Sequence, residues 1–320
     1  MPKAKVLVPQ TAFAAEAPAP YGSASRAPRR PPPPAVKPAS PFLKWAGGKT
    51  QLLPVFETYY PAASDVRRFI EPFLGGGAVF FHVRRTLRPR RALLFDRNAD
   101  LINTYVALQQ NVEGVISRLQ RHRAAHGEEH YYKVRAQDPS ALDPIARAAR
   151  FIYLNKTCYN GLYRVNRRNQ FNVPLGRYVR PTIFDADHLR QVAACLADVR
   201  LETQEFGNVV KVGRAGDFVY FDPPYDPISS SASFTAYTAN NFGRDDQARL
   251  AETFKTLDAK GCRVMLSNSD TPYVRRLYQG YRIHKVAARR AINTRADRRG
   301  PVWEVVVLNY DPSSTAAPDR

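Results

Sequence analysis

Four consecutive residues, Asp222, Pro223, Pro224 and Tyr225, combine a carboxylate, two imide bonds and an aromatic ring. The apolar run before them predicts a buried strand that delivers the acid to the carboxyl edge of a sheet. The prolines stiffen the turn and lack backbone donors, so carbonyl oxygens there stay available as acceptors. A carboxylate and a carbonyl can accept both protons of an exocyclic amine while the tyrosine stacks on its base. The segment therefore fits a site that directs an amine lone pair at an electrophilic methyl group, and a plain surface turn is the alternative.

A glycine turn, Gly75 to Gly77, follows a second predicted strand, Arg68 to Glu71. Glycines at the carboxyl end of a strand let a ligand approach the backbone closely. Phe80 occupies the third glycine position of a dinucleotide fingerprint, which argues against an NAD-dependent dehydrogenase. Asp96 ends the next predicted strand, Ala92 to Asp96, where its carboxylate can bind ribose hydroxyls. An ordinary strand-end or helix-capping acid is the alternative for Asp96.

A third segment with ligand-binding residue types runs from Lys44 to Thr50 and contains Trp45, Lys49 and two glycines. Leu43 stands where a phosphate-binding loop needs its first glycine, so the Walker A pattern is not met. An aromatic ring beside lysines and glycines suits a nucleoside that carries a carboxylate. A buried structural tryptophan is the alternative.

The chain carries 48 Lys and Arg against 28 Asp and Glu, a formal net charge of +20. No acidic residue occurs from Pro144 to Phe184, inside a stretch whose sequence looks ordered. The basic residues there are Arg147, Arg150, Lys156, Arg164, Arg167, Arg168, Arg177 and Arg180. Because each phosphate neutralised by Lys or Arg releases a counterion, this block favours a nucleic-acid surface over a generally basic composition.

Strand-like runs alternate with helical periodicity after residue 41, which predicts an α/β doubly wound sheet. Further strands are expected at 218–222, 263–267, 282–287 and 302–309, and Leu101, Tyr105 and Leu108 recur at helical spacing. Residues 41–110 and 199–310 are expected to form one domain. The polar, basic stretch 111–198 is expected to be an inserted, mainly helical domain. Residues 1–40 read as a disordered Pro-rich basic arm, and 311–320 as a tail.

Several classes of protein are disfavoured. The chain has no apolar run of about 18 residues, and its first residues lack the apolar core of a secretory signal. Three separated cysteines suit a reducing compartment and form no zinc knuckle. The spacing of His126 and His130 matches a metalloprotease pattern, but Gly127 weakens the required helix, so a solvated face or loop is expected. We therefore expect no metal site.

These segments together resemble the Dam-type, D12-class (alpha group) DNA adenine-N6 methyltransferases over nearly all of 42–310. The matching segments are Phe42 to Lys49, Glu71 to Gly77, Asp96 to Asn98, Tyr159 to Arg164, Phe171 to Gly176, Asp222 to Tyr225, Phe234 to Tyr237 and Lys285 to Asn293. Asn169 stands where the family often has glycine, and asparagine also tolerates positive φ. The resemblance implies a Rossmann-like, S-adenosylmethionine-dependent methyltransferase fold in which 111–198 recognises the DNA target.

The resemblance also implies roles for individual residues. The catalytic residues would be Asp222, Pro223, Pro224 and Tyr225. The S-adenosylmethionine contacts would be Trp45, Lys49, Glu71, Gly75, Gly77, Asp96 and Asp222. The DNA contacts would be Lys44, Tyr159, Asn160, Leu162, Arg164, Asn166, Asn172, Pro174 and Tyr178. Tyr159 and Asn160 would enter the base stack, Arg164 and Leu162 would read bases, and Lys44 would touch an outer base.

The reaction implied is direct in-line transfer to N6 of a flipped adenine in duplex DNA, within GATC, without a metal or a covalent enzyme intermediate. We expect a monomer with a cytoplasmic and nucleoid-associated location, and a cognate restriction endonuclease in a restriction-modification pair is a candidate partner. Methylation of cytosine N4 or of RNA amines uses the same chemistry and stays open. A catalytically idle DNA-binding protein with this fold is the other alternative, and the intact set of expected cofactor residues argues against it.

Overall fold

The computed structural model describes residues 38–166, 168, 170–227, 242–288 and 302–312. Most of the Pro-rich arm, the segment 234–237, residues 289–293, Arg167 and Asn169 lie outside the described residues, so the expectations for them stay predictions. Among the described residues, none of the helices combines the length and the apolar character that crossing a bilayer requires.

A seven-stranded sheet with the order β3-β2-β1-β4-β5-β7-β6 forms the centre of the molecule. The strands are β1 Arg68–Glu71, β2 Arg91–Asp96, β3 Val199–Thr203, β4 Asp217–Phe221, β5 Arg263–Ser269, β6 Arg282–Ala288 and β7 Val302–Leu308. Strands β1 to β5 are parallel, and β7 runs antiparallel between β5 and β6. The predicted doubly wound α/β sheet is therefore confirmed.

Helices cover both faces of the sheet. They are α1 Leu53–Glu57, α2 Ala78–Thr86, α3 Ala99–Ala124, α4 Glu128–Ala136, α5 Pro144–Thr157, α6 Ala186–Cys195, α7 Val209–Val212, α8 Arg244–Ala259 and α9 Pro272–Leu277. Successive residues of a strand alternate between two apolar clusters. On β4, Phe218 and Tyr220 pack with α1, α2, α3, α5 and α6, whereas Val219 and Phe221 pack with α7, α8 and α9. Burial on both faces explains why these strands are continuously apolar.

Strand β3 was missed by the sequence prediction. Only Val199 among its five residues is buried, and two of the others, Arg200 and Glu202, are charged. It is an edge strand paired only with β2 among the described strands, so it needs no apolar run.

The stretch 111–198 is largely helical. Helix α3 passes through its start, with a non-helical backbone at Asn111 (φ −154°, ψ 70°), and then packs against α5. Asp143 caps α5 by accepting a hydrogen bond from the backbone of Ala146, with Pro144 at the first helical position. A short antiparallel hairpin follows α5, with bridges from Cys158 to Leu175 and from Val165 to Phe171.

Three half-buried histidines in this region pack around a buried tyrosine; His126 lies in the loop between α3 and α4, as expected, whereas His122 and His130 lie on the two helices. His122 stacks on Tyr153 with ring centroids 4.8 Å apart, and its Nδ1 lies 3.0 Å from Nε2 of His130. His126 Nδ1 lies 2.9 Å from the Tyr153 hydroxyl. Because their rings fill the space between α3, α4 and α5, these histidines have a packing role.

The histidine cluster predicts a loss of stability in acid. Burial first, and then the charges of His130 and Arg118, lower the pKa of His122 from 6.5 to about 4. As pH falls below about 6.5, the unfolded chain therefore takes up a proton that the folded chain resists. Stability should fall from about pH 6.5 down through about pH 4, as measured by urea unfolding. His122→Phe keeps a ring against Tyr153 and should show a shallower fall; an unchanged slope would contradict this origin.

Candidate functional site

The segments singled out in the sequence meet at the carboxyl edge of β1, β2 and β4. Lys49 Nζ lies 2.8 Å from Asp222 Oδ1, and this contact joins the segment 44–50 to the end of β4. The backbone N–H of Gly75 donates to Asp96 Oδ2 at 3.0 Å, which joins the ends of β1 and β2. The strand order explains this meeting, because β2, β1 and β4 are neighbours in one parallel sheet.

Asp222 is held by two partners. Besides Lys49, which is 6% exposed, Ser267 Oγ donates to Asp222 Oδ1 at 3.0 Å. The Tyr220 hydroxyl lies 2.8 Å from Ser267 Oγ and extends the network into the core. Among the described residues, both partners of the Asp222 carboxylate contact Oδ1, so its second oxygen is available.

The two prolines differ in what their carbonyls do. The Pro224 carbonyl accepts a hydrogen bond from Gln247 Nε2 at 2.9 Å, and Asn268 in turn donates to Gln247 Oε1 at 3.0 Å. The Pro223 carbonyl accepts no hydrogen bond from any residue that the structure describes. Among the two, Pro223 is therefore the one that can receive an amine proton, and Pro224 is a structural member of the turn.

Tyr225 is held in place by one contact to its hydroxyl and one to its ring. Its hydroxyl donates to Glu304 Oε2 at 2.7 Å, and Lys49 Nζ lies 4.6 Å from the ring centroid. Burial first, and then the charges of Asp222 and Glu304, raise the pKa of Tyr225 well above 10.0, so the hydroxyl stays protonated and keeps donating.

Sequence reasoning missed Ser267, Gln247 and Glu304. Ser267 could have been found, because it ends the predicted strand 263–267, and the rule that selected Asp222 applies equally to it. Gln247 lies on α8 and Glu304 on β7, where no local pattern distinguishes them from other polar residues.

Two more carboxylates face the same edge. Glu71 is 2% exposed, and its Oε2 has no hydrogen-bond partner among the described residues. Burial first, then the charge of Asp222, raises the pKa of Glu71 well above 4.5. Asp96 accepts from the backbone of Gly75 and, through Oδ1, from that of Asn98 at 2.9 Å, while burial raises its pKa above 3.8. A buried orphan oxygen and a backbone-anchored acid mark a cavity for a polar ligand.

The backbone at Gly75 and Gly77 lies so close to aromatic residues that any side chain there would collide with them. Gly75 has φ +49°, and a Cβ there would lie 2.8 Å from the Trp45 indole. Gly77 has φ +71° and precedes α2, and a Cβ there would lie 2.9 Å from the Tyr105 hydroxyl, which donates to the Gly75 carbonyl at 3.2 Å. An aromatic wall, a close backbone and two acids fit a nucleoside with a charged tail.

Gly75→Ala is expected to weaken cofactor binding more than it weakens the fold. The new methyl group would strain a left-handed backbone and displace the Trp45 indole, which stacks with Tyr163 at 5.8 Å. Titration of S-adenosylmethionine by calorimetry should show about a tenfold or larger rise in Kd, consistent with about 1–3 kcal/mol of strain. Gly207→Ala, where a Cβ meets nothing within 4 Å, is the matched control. Equal Kd values for the two variants would contradict the assignment of this pocket.

The expected DNA contacts form an exposed surface beside this edge. Tyr159 and Leu162 are 49% and 42% exposed, which is unusual for large apolar side chains. Asn160 between them has a left-handed backbone with φ +54°, which asparagine tolerates. Lys44 Nζ donates to the Tyr178 hydroxyl at 3.0 Å and lies 4.1 Å from its ring centroid.

Asn155, which the sequence reasoning missed, ties this surface together. Its Oδ1 accepts from the backbone N–H of Lys44 at 2.8 Å, and its Nδ2 donates to the Lys44 carbonyl at 2.7 Å and to the Gly161 carbonyl at 3.2 Å. It is 2% exposed. The buried amide of Asn155 therefore fixes the segment 44–50 against the turn at 159–161. No sequence pattern distinguishes Asn155 from other polar residues.

The hairpin orients its own polar side chains. Arg164 Nε donates to Asn172 Oδ1 at 2.8 Å, and Asn166 Nδ2 donates to Gln170 Oε1 at 3.0 Å. The backbone N–H of Tyr159 donates to the carbonyl of Pro174 at 2.9 Å, which brings Pro174 onto the same surface. The exposed Arg164 therefore points from a fixed base, with Nη1 left for another partner.

A family model for D12 class N6 adenine-specific DNA methyltransferases matches residues 45–292. The type II methyltransferase M.MjaIII of Methanocaldococcus jannaschii is 42% identical over 285 residues, which are 84% of this chain and 99% of that protein. The DNA adenine methylase of Vibrio cholerae is 36% identical over 83% of this chain and 95% of that protein. The DNA adenine methylase of Salmonella typhi is 36% identical over 87% and 98%. The chain belongs to the D12 class of N6 adenine-specific DNA methyltransferases, which use S-adenosylmethionine as methyl donor.

Proposed function

We propose that this methyltransferase acts on an adenine flipped out of duplex DNA, within the sequence GATC. The observation that carries the proposal is the position of Asp222. Its carboxylate, paired with the buried Lys49, lies beside the anchored Tyr225 ring and the Pro223 carbonyl, which accepts no hydrogen bond from the described residues. The exposed side chains of Tyr159 and Leu162 lie on a turn that Asn155 ties to Lys44. Lys44 directly precedes Trp45, so the surface expected to bind DNA is connected to the expected cofactor pocket.

The cofactor would be held by the pocket already described. Trp45 and the turn at Gly75 and Gly77 would contain its nucleoside, Asp96 would accept ribose hydroxyls, and Lys49 and Glu71 would meet its polar tail. When bound, S-adenosylmethionine supplies an electrophilic methyl group on a positively charged sulfur. The Asp96 carboxylate accepts from the backbones of Gly75, Asn98 and Arg97, which leaves acceptor capacity for a ribose hydroxyl.

The amine would be held by two acceptors. The second oxygen of Asp222 and the carbonyl of Pro223 would each accept one N6 proton, while the Tyr225 ring stacks on the base. Holding both protons concentrates the nitrogen lone pair and fixes its direction, and orientation of this kind supplies much of a rate enhancement. Because the lone pair attacks directly, no base has to remove a proton first.

The region 111–198 would read the DNA. Tyr159 and Asn160 would occupy the gap left by the extruded base, a step that costs a few kcal/mol of unstacking. Arg164, oriented by Asn172, would make paired hydrogen bonds to a guanine, and the exposed Leu162 would contact a thymine methyl group. The remaining expected contacts on this surface are Lys44, Asn166, Pro174 and Tyr178.

Sequencing of native DNA from a methylation-free bacterial host that expresses this chain tests the proposal. We expect N6-methyladenine on both strands of nearly every GATC. Methylation within another motif would overturn the target sequence, and N4-methylcytosine would overturn the assignment of the amine. Asp222→Ala, which has no acceptor at this position, is expressed at the same level as the control for methylation by host enzymes.

A further inference from the structure

Five arginines lie between residues 84 and 91, where α2 ends and β2 begins. They are Arg84, Arg85, Arg88, Arg90 and Arg91, and we refer to them as the amino-edge arginine cluster. Because α2 follows β1 and precedes the parallel β2, this turn lies at the amino edge of the sheet, opposite the edge that carries Glu71 and Asp96. The catalytic site therefore does not account for it.

These arginines are not balanced by acids. Arg84 donates to the Pro89 carbonyl at 2.8 Å and lies 3.9 Å from Asp198, whereas the other four form no ion pair with any residue that the structure describes. The acids in this part of the molecule have other partners, since Asp217 pairs with Arg68, Asp65 with Arg263, and Glu57 lies 3.2 Å from His82.

Some exposed arginines elsewhere have close carboxylates, whereas others, such as Arg121, Arg177 and Arg180, form no ion pair with the described residues. Arg190 pairs with Glu113 at 2.6 Å, Arg275 with Asp270 at 2.6 Å and Arg282 with Asp311 at 2.6 Å. What sets the cluster apart is its density, because Arg85, Arg88, Arg90 and Arg91 lie on one turn of the chain. Guanidinium groups this close repel one another and favour an external anion.

The local structure presents the cluster as a concave surface. Arg84, Arg85 and Arg88 line an open groove of about 520 Å³ together with Phe81 and Gln191. The carboxyl end of α2 favours positive charge on Arg84 and Arg85, but this effect does not extend to Arg90 and Arg91 beyond the helix. Arg88 has a left-handed backbone with φ +50°, which turns the chain at the groove. The turn therefore carries three arginines that helix stability does not require, Arg88 in the groove and Arg90 and Arg91 beside it.

We propose that the amino-edge arginine cluster binds the phosphate backbone of a second duplex DNA segment. Guanidinium groups match phosphate oxygens in geometry, and DNA is the polyanion that the activity of this family keeps close to the protein. Duplex DNA has a persistence length of about 150 bp, so a short duplex held at the carboxyl edge cannot bend round to the opposite edge. The second segment is therefore a different duplex or a distant part of the same molecule.

The test measures binding of a second duplex while the first site is filled. The full chain is saturated with sinefungin and a short GATC duplex, and a fluorescein-labelled duplex of equal length without GATC is titrated by anisotropy. Wild-type protein should bind it, with an affinity that falls steeply as salt rises. Arg85→Ser combined with Arg88→Ser should weaken this binding about tenfold at low salt and lower the salt slope by about 2, since each phosphate contact contributes about 0.9.

Lys255→Ser combined with Arg276→Ser removes the same charge from α8 and α9 and is the matched control. It should leave the second binding event within about twofold of wild type, and both double variants should methylate the GATC duplex at the wild-type rate. Failure of wild-type protein to bind the second duplex, or equal weakening in both double variants, would overturn the proposal. If wild-type protein does not methylate the first duplex, the proposed target sequence is wrong, and the comparison of the two variants still decides this inference.

Discussion

Asp222→Ala abolishes methylation of duplex DNA while the protein remains folded, if the site works as proposed. The variant removes one of two acceptors that hold the target amine and leaves Lys49, which is 6% exposed, without its carboxylate partner at 2.8 Å. Losing one preorganised electrostatic contact in an enzyme costs about 10²–10³ in rate, and loss of orientation adds to it. We therefore expect a fall of about a thousandfold or more in single-turnover transfer of labelled methyl groups.

Two controls separate chemistry from folding in this experiment. Ser267→Ala removes only the donor to Asp222 Oδ1 at 3.0 Å, so it should slow transfer by about tenfold and no more. Asp222→Ala should still unfold in one cooperative transition, at a melting temperature lowered because the buried Lys49 loses its carboxylate and keeps only the 2.7 Å hydrogen bond to the Gly47 carbonyl. Transfer by Asp222→Ala within a few fold of wild type would show that Asp222 does not handle the amine.

Arg164→Ala relaxes sequence preference at a single base pair, whereas Arg168→Ala weakens all duplexes alike. Arg164 is fixed by Asn172 and has a donor left for a base, but Arg168 is exposed and has no side-chain partner among the described residues. A lost paired contact to guanine costs about 1–3 kcal/mol of discrimination. A lost phosphate contact lowers the salt slope by about one unit without changing the preference.

The measurement is the methylation rate on GATC duplexes that each carry one substituted base pair, at two salt concentrations. In wild-type protein, each substituted base pair should lower the methylation rate. For Arg164→Ala, this rate loss should become about tenfold or more smaller at one position and stay unchanged at the others. Arg164→Lys keeps the positive charge but loses the paired donors of the guanidinium group. It should therefore resemble Arg164→Ala in its preference among the duplexes and wild type in the salt dependence of its rate. Equal slowing of every duplex by Arg164→Ala would make the hairpin a phosphate clamp.

The parts of the fold that could be predicted from the sequence are those with a local physical signature. Strands buried on both faces, such as β4, must be apolar throughout, and the acids that end them must lie at one edge of a parallel sheet. That rule brought Asp96 and Asp222 together before any coordinates. It missed β3, because an edge strand with one buried residue of five has no such signature.

The rest depends on contacts between distant parts of the chain. Asn155 binds Lys44 across 111 positions, and Tyr225 binds Glu304 across 79 positions, so neither pair can be read from neighbouring residues. The histidines around Tyr153 look solvated in sequence, because their neighbours are polar and their packing partner comes from α5. Sequence predicted which segments form the site, and tertiary packing decides which polar residues hold them in place.

Nucleoside mass spectrometry after methyl transfer tests the central claim most directly. Purified protein and S-adenosylmethionine are combined with each of three substrates of equal length: duplex DNA with one GATC, the same duplex with that site scrambled, and the RNA duplex that matches the first. We predict N6-methyladenine in the first substrate at a rate at least a thousandfold above that of Asp222→Ala, with no N4-methylcytosine. Methylated cytosine, faster methylation of the RNA, or N6-methyladenine that persists in Asp222→Ala would contradict the account.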